Sequence, residues 1–189
     1  LAPWHAEEHI AVLAPERITI VQGEIYAASD LPTDLSLYDA QHSFHGRVPG
    51  YALITGSRGC PFNCDFCNVT ALLGHHPRTK TARQVIAELD GLYRRGWRGP
   101  VFFVDDNLTI NRRFARELLR RMRGREYSWV CHASIDIGAE PDLLDLMAGA
   151  GCESVLIGFE SLNPANLAET GKFQNLRADY ERAIAAIHR

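Results

Sequence analysis

From Tyr51 to the end of the sequence, short apolar runs alternate with longer stretches in which apolar residues recur every three or four positions. The runs read as strands and the spaced stretches as helices. Tyr51 to Ser57 is the first run. A helix follows, with Thr81 as N-cap and Gln84 three residues on, the two halves of a capping box. Its stripe is Val85, Ile86, Leu89, Leu92 and Tyr93, and Gly96 suits its end. Val101-Phe102-Phe103-Val104 is uninterrupted, as expected of a strand buried on both faces. A second helix starts near Asn111, carries Phe114, Ala115, Leu118, Leu119 and Met122, and stops at Gly124. The third strand is Tyr127 to Ala133. The third helix opens at Pro141, a residue suited to a first helical position, and ends at Gly149 to Gly151. Ser154 to Ile157 is the fourth strand. A short helix starts at Pro164, and a last one carries Leu176, Tyr180, Ala183, Ile184 and Ile187.

Four strand–helix units in succession predict an α/β fold, a parallel sheet with right-handed crossovers. Four units make an open, curved sheet rather than a closed barrel, so the sequence reads as a piece of a longer protein. Residues 1–50 differ in kind. Pro3, Pro15, Pro32 and Pro49 interrupt them, Arg17 to Val21 is one short strand ended by Gly23, and Leu31 to Gly50 has turn chemistry without a period. They read as the tail of a preceding domain plus a linker, with residues 51–189 as the core. His5 and His9 are spaced so that a helix would put them on one face. They read as solvent-exposed histidines, as do His42 and His45.

In parallel sheets ligands collect at the carboxyl ends of the strands. Each strand here is followed by polar chemistry: Cys60, Cys64 and Cys67 after the first, Asp105, Asp106 and Asn107 after the second, Ser134 and Asp136 after the third, Glu160 after the fourth. Asp and Asn in such places are commonly turn formers; four sets on one edge, beside clustered thiols, point to a site. Thiolates suit iron–sulfur clusters or zinc. A structural zinc site wants four ligands, for which His75 and His76 are the nearest candidates. Cys131 and Cys152 read as small core residues, and His132 as a satisfied core histidine in preference to one facing the site from the third strand.

Composition narrows the classes. The 189 residues carry a net charge of −3, which gives no electrostatic case for nucleic acid or an anionic membrane. Lys occurs only at 80 and 172, the other basic residues being Arg. No apolar run approaches the length of a membrane span, and the N-terminus does not read as a signal peptide. Five cysteines, three of them clustered, argue for a reducing compartment, hence the cytoplasm, and a metal site rather than a disulfide framework.

The spacing Cys60-x3-Cys64-x2-Cys67 after a first strand resembles the defining motif of the radical SAM superfamily. Its surroundings are Gly56-Ser57-Arg58-Gly59-Cys60-Pro61-Phe62-Asn63-Cys64-Asp65-Phe66-Cys67, then Arg78-Thr79-Lys80, Phe103-Val104-Asp105-Asp106-Asn107 and Ile157-Gly158-Phe159-Glu160-Ser161. They look like the branch whose members carry an N-terminal cobalamin-binding domain. The resemblance covers about residues 50–189 and implies a partial TIM-like barrel. It implies a [4Fe–4S] cluster on Cys60, Cys64 and Cys67, with one iron left for the amino and carboxylate groups of S-adenosylmethionine (SAM). Reduction of the sulfonium would release methionine and a 5′-deoxyadenosyl radical for hydrogen abstraction or cobalamin-dependent methyl transfer. It further implies a small-molecule substrate, a one-electron donor such as flavodoxin or ferredoxin, and cobalamin in the full-length parent.

By position, Phe66 matches an aromatic whose backbone lies near the adenine. Asp105, Asp106 and Asn107 stand where many members carry Gly-Gly-Glu to bind the methionine amino group, a departure that leaves the residue doing that job open. Ser134, Asp136 and Glu160 match positions that touch methionine or ribose. The competing readings are an iron–sulfur electron-transfer or cluster-holding module, which would want a fourth cysteine ligand, and a structural zinc loop. As a truncated core, the chain alone could also bind a cluster and turn nothing over.

Overall fold

The computed structural model describes residues 8–14, 17–23 and 51–188. Strands β1 (Glu8–Ala14) and β2 (Arg17–Gly23) pair antiparallel, Ala14 opposite Arg17 and Glu8 opposite Gly23. His9 is therefore a strand residue, and the helix that would have aligned it with His5 does not form. The single strand expected at Arg17 to Val21 is one arm of this pair. His5, His42, His45 and the stretch from Leu31 to Gly50 lie outside the described residues.

The core is a four-stranded parallel sheet in the order β3 (Ala52–Ile54), β6 (Val101–Phe103), β7 (Trp129–Ala133), β8 (Cys152–Ile157). Successive strands lie side by side, joined by α2 (Ala82–Arg94), α3 (Arg112–Met122) and α4 (Pro141–Gly149). The β7–β8 ladder skips one residue, Trp129 facing Cys152 and Val130 facing Ser154. The capping box forms as read: the Gln84 N–H donates to Thr81 Oγ1 at 3.2 Å, and the Thr81 N–H to Gln84 Oε1 at 2.9 Å. Thr81→Ala should cost about 1 kcal/mol, read as a lower urea midpoint with an unchanged slope.

The helices bury their stripes against one sheet face, where Val85, Leu89, Leu118, Leu119, Met122 and Leu143 pack on Val101, Phe103 and Trp129. Phe103 and Trp129 meet edge to face, centroids 5.5 Å apart. The double-sided burial expected of Val101 to Val104 does not occur. Val101 and Phe103 are fully buried, Phe102 is half-buried and Val104 is 40% exposed. Alternation along a strand sends Phe102, with Leu53, His132 and Leu156, to the face that no helix of the described residues covers. Rings line up there, Tyr51 with Phe102 at 6.2 Å and Phe102 with His132 at 5.2 Å.

The first strand is also shorter than its apolar run. It leaves the sheet after Ile54, and Ser57–Arg58 (β4) instead pairs antiparallel with Arg78–Thr79 (β5). A short helix α1 (Val69–Leu73), absent from the sequence reading, lies inside the loop so closed. Beyond β8 come α5 (Pro164–Glu169), a 3-10 turn Phe173–Asn175 and α6 (Tyr180–Ile187).

Candidate cofactor site

Asp105 fixes where the first strand turns. Its carboxylate is 1% exposed and accepts from the Gly56 N–H at 2.8 Å and the Ser57 hydroxyl at 2.5 Å. A Cβ at Gly56 would sit 3.3 Å from Asp105 Oδ1 and 3.4 Å from Leu108 and Phe114, a tight fit that would make these side chains give way. Burial pushes the Asp105 carboxyl up to about 6, against the pull of Gly56, Ser57 and the nearby Lys80. Lys80 is itself buried and paired with Glu88 at 2.8 Å, and its N–H donates to the Gly56 carbonyl.

The β4–β5 pair pinches the neck of the loop that carries the cysteines. Inside it the Cys60 N–H donates to the Gly74 carbonyl at 3.2 Å and the Cys67 N–H to the Cys64 carbonyl at 3.0 Å. Gly59, at φ 94°, lies where a Cβ would meet the Gly74 and His76 carbonyls at 2.9 Å. The far end of the chain closes over this loop. The Asp65 N–H donates to the Thr170 carbonyl at 3.0 Å, and a Cβ on Gly171 would stand 2.7 Å from the Asn63 carbonyl.

Cys60, Cys64 and Cys67 all open on one cavity of about 270 Å³ at the carboxyl edge of the sheet. Phe66, Asp106, Asn107, Ser134 and Glu160 line the same cavity. Asn107 donates to the Ser134 hydroxyl at 2.6 Å, joining the ends of β6 and β7. Two of the candidates do not reach it. Asp105 is turned into the core on Gly56 and Ser57. Asp136 sits outside, paired with Arg112 at 2.8 Å, because the 3-10 turn Ile135–Ala139 carries it away from the strand end. A larger cavity, about 670 Å³, lies between α4, β8 and α6 and holds none of the three clustered cysteines.

Among the polar lining residues, Lys172, Gln174 and Asn175 were missed by sequence reasoning, while His132 was read as a core histidine in preference to one facing the site. His132, expected in the core, sits on the uncovered sheet face, its Nδ1 3.3 Å from the Asp105 carbonyl oxygen. The polar run after α5 offered no periodicity to place the other three. Lys172 pairs with Glu160 at 3.0 Å and stands 5.6 Å from the centre of the Phe66 ring. Glu160 has φ 59°, a left-handed conformation costly for its residue type. The Ser161 N–H closes a tight turn on the Phe159 carbonyl at 2.7 Å. Asn175 donates to the Gly158 and Phe159 carbonyls at 3.0 and 3.2 Å, while its buried Oδ1 has no partner among the described residues.

Burial pushes the Cys60 thiol up, opposed by a Phe62 backbone hydrogen bond, and Cys64, Cys67 and Asp106 add to the rise. Burial raises the Asp106 carboxyl, with His132 and Arg58 pulling it back. Among the described residues no three His, Cys, Asp or Glu side chains converge on a point where a single ion could sit. A zinc site needs such convergence; a polynuclear cluster does not, since each thiolate takes a different iron. His75 and His76 are exposed and do not line the cavity. Cys131 is fully buried, its thiol raised well above its ordinary value by the neighbouring Cys152 and by burial, and neither cysteine lines the cavity. Three separated thiols, a few polar side chains and an orphaned acceptor on one cavity of otherwise apolar lining fit a three-ligand cluster with a cosubstrate that has polar and apolar parts.

The family model described as the Radical SAM superfamily matches residues 54–189. An uncharacterized methyltransferase of Synechocystis sp. is 40% identical over 127 residues, covering 64% of this chain and 24% of that protein. The hopanoid C-2 methylase of Rhodopseudomonas palustris is 37% identical over 137 residues, covering 69% and 26%. The chain thus spans about a quarter of the length of these relatives. Among solved structures, the radical S-adenosylmethionine methyltransferase TsrM from Kitasatospora setae, with cobalamin and a [4Fe–4S] cluster bound, shares the fold. Its TM-score is 0.66 at 19% identity, over 74% of this chain and 29% of that one. The match runs from the first strand of the parallel sheet through the cysteine loop to the last helix, and the chain belongs to the radical SAM superfamily.

Proposed function

We propose that Cys60, Cys64 and Cys67 hold a [4Fe–4S] cluster with one iron open, and that SAM binds beside it in the cavity closed by residues 158–175. When bound, the cluster supplies one electron to the SAM sulfonium, giving methionine and a 5′-deoxyadenosyl radical. The chain's own groups hold and orient the cosubstrate. Asp106, exposed at the end of β6, offers a carboxylate to its ammonium, and a charge-assisted pair of this kind is among the stronger polar contacts. Asn107 and Ser134 present a joined amide and hydroxyl, and Asn175 Oδ1 offers a buried acceptor. Phe66 and the Lys172–Glu160 pair line the outer rim of the cavity. The observation that carries this reading is the opening of all three thiols onto one cavity that Asp106, Asn107 and Ser134 also line.

The full-length protein, on this reading, is a cobalamin-dependent methyltransferase fed by a flavodoxin- or ferredoxin-like donor in the cytoplasm. Methylase names among the relatives, one of them acting on hopanoids, support it. The ring-bearing, partly exposed sheet face of Leu53, Phe102, Val104 and Leu156 leads from the cavity and suits an apolar small molecule. Residues 1–50 would link this core to the cobalamin domain. The electron-transfer alternative needs a fourth thiolate, and neither Cys131 nor Cys152 lines the cavity. Anaerobic iron–sulfide reconstitution should give a reduced-state [4Fe–4S]⁺ EPR signal that shifts on adding SAM. A signal indifferent to SAM would overturn the open-iron assignment.

A further inference from the structure

The turn after α5 brings a hydrogen-bond donor onto one of the three thiols. Gln174 Nε2 lies 3.5 Å from Cys64 Sγ, 110 residues away in sequence. An N–H donor to sulfur at this separation is a normal contact, since sulfur is larger than oxygen. The placement is over-determined. Thr170 and Gly171 are locked to the cysteine loop through Asp65 and Asn63, and the Asn175 side chain holds the Gly158 and Phe159 carbonyls. Between these anchors the 3-10 turn Phe173–Asn175 leaves Gln174 half-buried and facing inward, with Phe173 turned out to solvent at 64% exposure. Cys64 is the buried member of the three, so a polar group beside it acts through little screening water.

We propose that Gln174 sets the reduction potential of the cluster by donating to the Cys64 thiolate. The inference rests on the cluster assignment above. Reduction adds one electron, taken from an external donor, and its charge spreads onto the sulfurs. A donor N–H stabilises that added charge more than it stabilises the oxidised state, so the potential rises.

The test is an EPR-monitored redox titration of the reconstituted chain, with iron content and circular dichroism measured in parallel. Gln174→Leu keeps the volume and removes the donor; Gln174→Glu puts a carboxylate against the thiolate. The midpoint should fall in the order unsubstituted, Leu variant, Glu variant, at equal iron content. Two variants with unchanged midpoints and intact clusters would overturn the proposal while leaving the cluster assignment standing. Variants that lose iron in proportion to lost fold would give Gln174 a structural role and also overturn it. An unsubstituted chain that takes up no [4Fe–4S] cluster would remove both readings together.

Discussion

Cys64→Ser is expected to abolish both cluster assembly and SAM cleavage, whereas Cys131→Ser leaves both intact. The contrast follows from where the two sulfurs stand. Cys64 lines the cavity with Cys60 and Cys67 and receives Gln174. A serine oxygen there is a harder, far more basic ligand than a thiolate and a poor match for iron in a sulfide cluster. With two thiolates left, the cluster has no stable seat. Cys131 is as buried as any residue in the chain, but it lies in β7 against Cys152. Its loss is a packing change of about 1 kcal/mol in the core. Anaerobic reconstitution with iron and acid-labile sulfide analysis checks the pair: roughly four irons per chain for Cys131→Ser, and close to none for Cys64→Ser. A Cys64→Ser chain holding a full cluster that still cleaves SAM would sink the assignment. Loss of the cluster in Cys131→Ser at full stability would bring back a fourth-cysteine, electron-transfer centre.

The sheet and its order were legible because each element carried its own local signature. Thr81 with Gln84, Asn111 before Phe114, and Pro141 at a helix start each marked a boundary that the structure keeps. The site was legible wherever a residue belonged to a strand end, as with Cys60, Asp106, Asn107, Ser134 and Glu160. It was illegible where tertiary pairing chose between neighbours. Asp105 and Asp106 are adjacent and chemically alike. The alternation of the strand sends Asp105 toward Gly56 and Asp106 toward the cavity. Asp136 was lost to a 3-10 turn that no spacing announced. The closure by Lys172, Gln174 and Asn175 depends on irregular turns that pair with Glu160, Gly158 and Phe159 and on one contact 110 residues apart, Gln174 with Cys64, and these leave no periodic trace. His132 was weighted toward the core over the site for a related reason. The sheet face it occupies would be core if helices covered both sides, and here they cover one.

Asp105 carries the second large expectation, which concerns stability and its dependence on pH. Its carboxylate is the acceptor for two donors, the Gly56 N–H and the Ser57 hydroxyl, at the point where the chain leaves β3 for the cysteine loop. Asp105→Ala strands both donors in the interior. At ~1–3 kcal/mol for each buried group left unsatisfied, the loss should be about 3 kcal/mol. The loop neck should loosen with it, so cluster uptake falls as well. Asp105→Asn can still accept from Gly56 while the Ser57 hydroxyl turns to accept from its amide, and should stay within about 1 kcal/mol of the unsubstituted protein near neutral pH. The pH profile separates a buried carboxyl from a merely hydrogen-bonded one. Burial lifts the group from its ordinary value of 3.8 to about 6, so the native chain binds this proton more tightly than the unfolded chain does. The stability it contributes is fully present below about pH 4, is lost as pH rises through about 6, and amounts to about 3 kcal/mol over that interval. Urea unfolding at a series of pH values, taken as unsubstituted minus Asp105→Asn, isolates this group from the other carboxylates. The difference should decline from pH 4 to 7. A difference that rises over the same interval would mean that Gly56, Ser57 and Lys80 together hold Asp105 as the anion, and that burial is the weaker of the two effects.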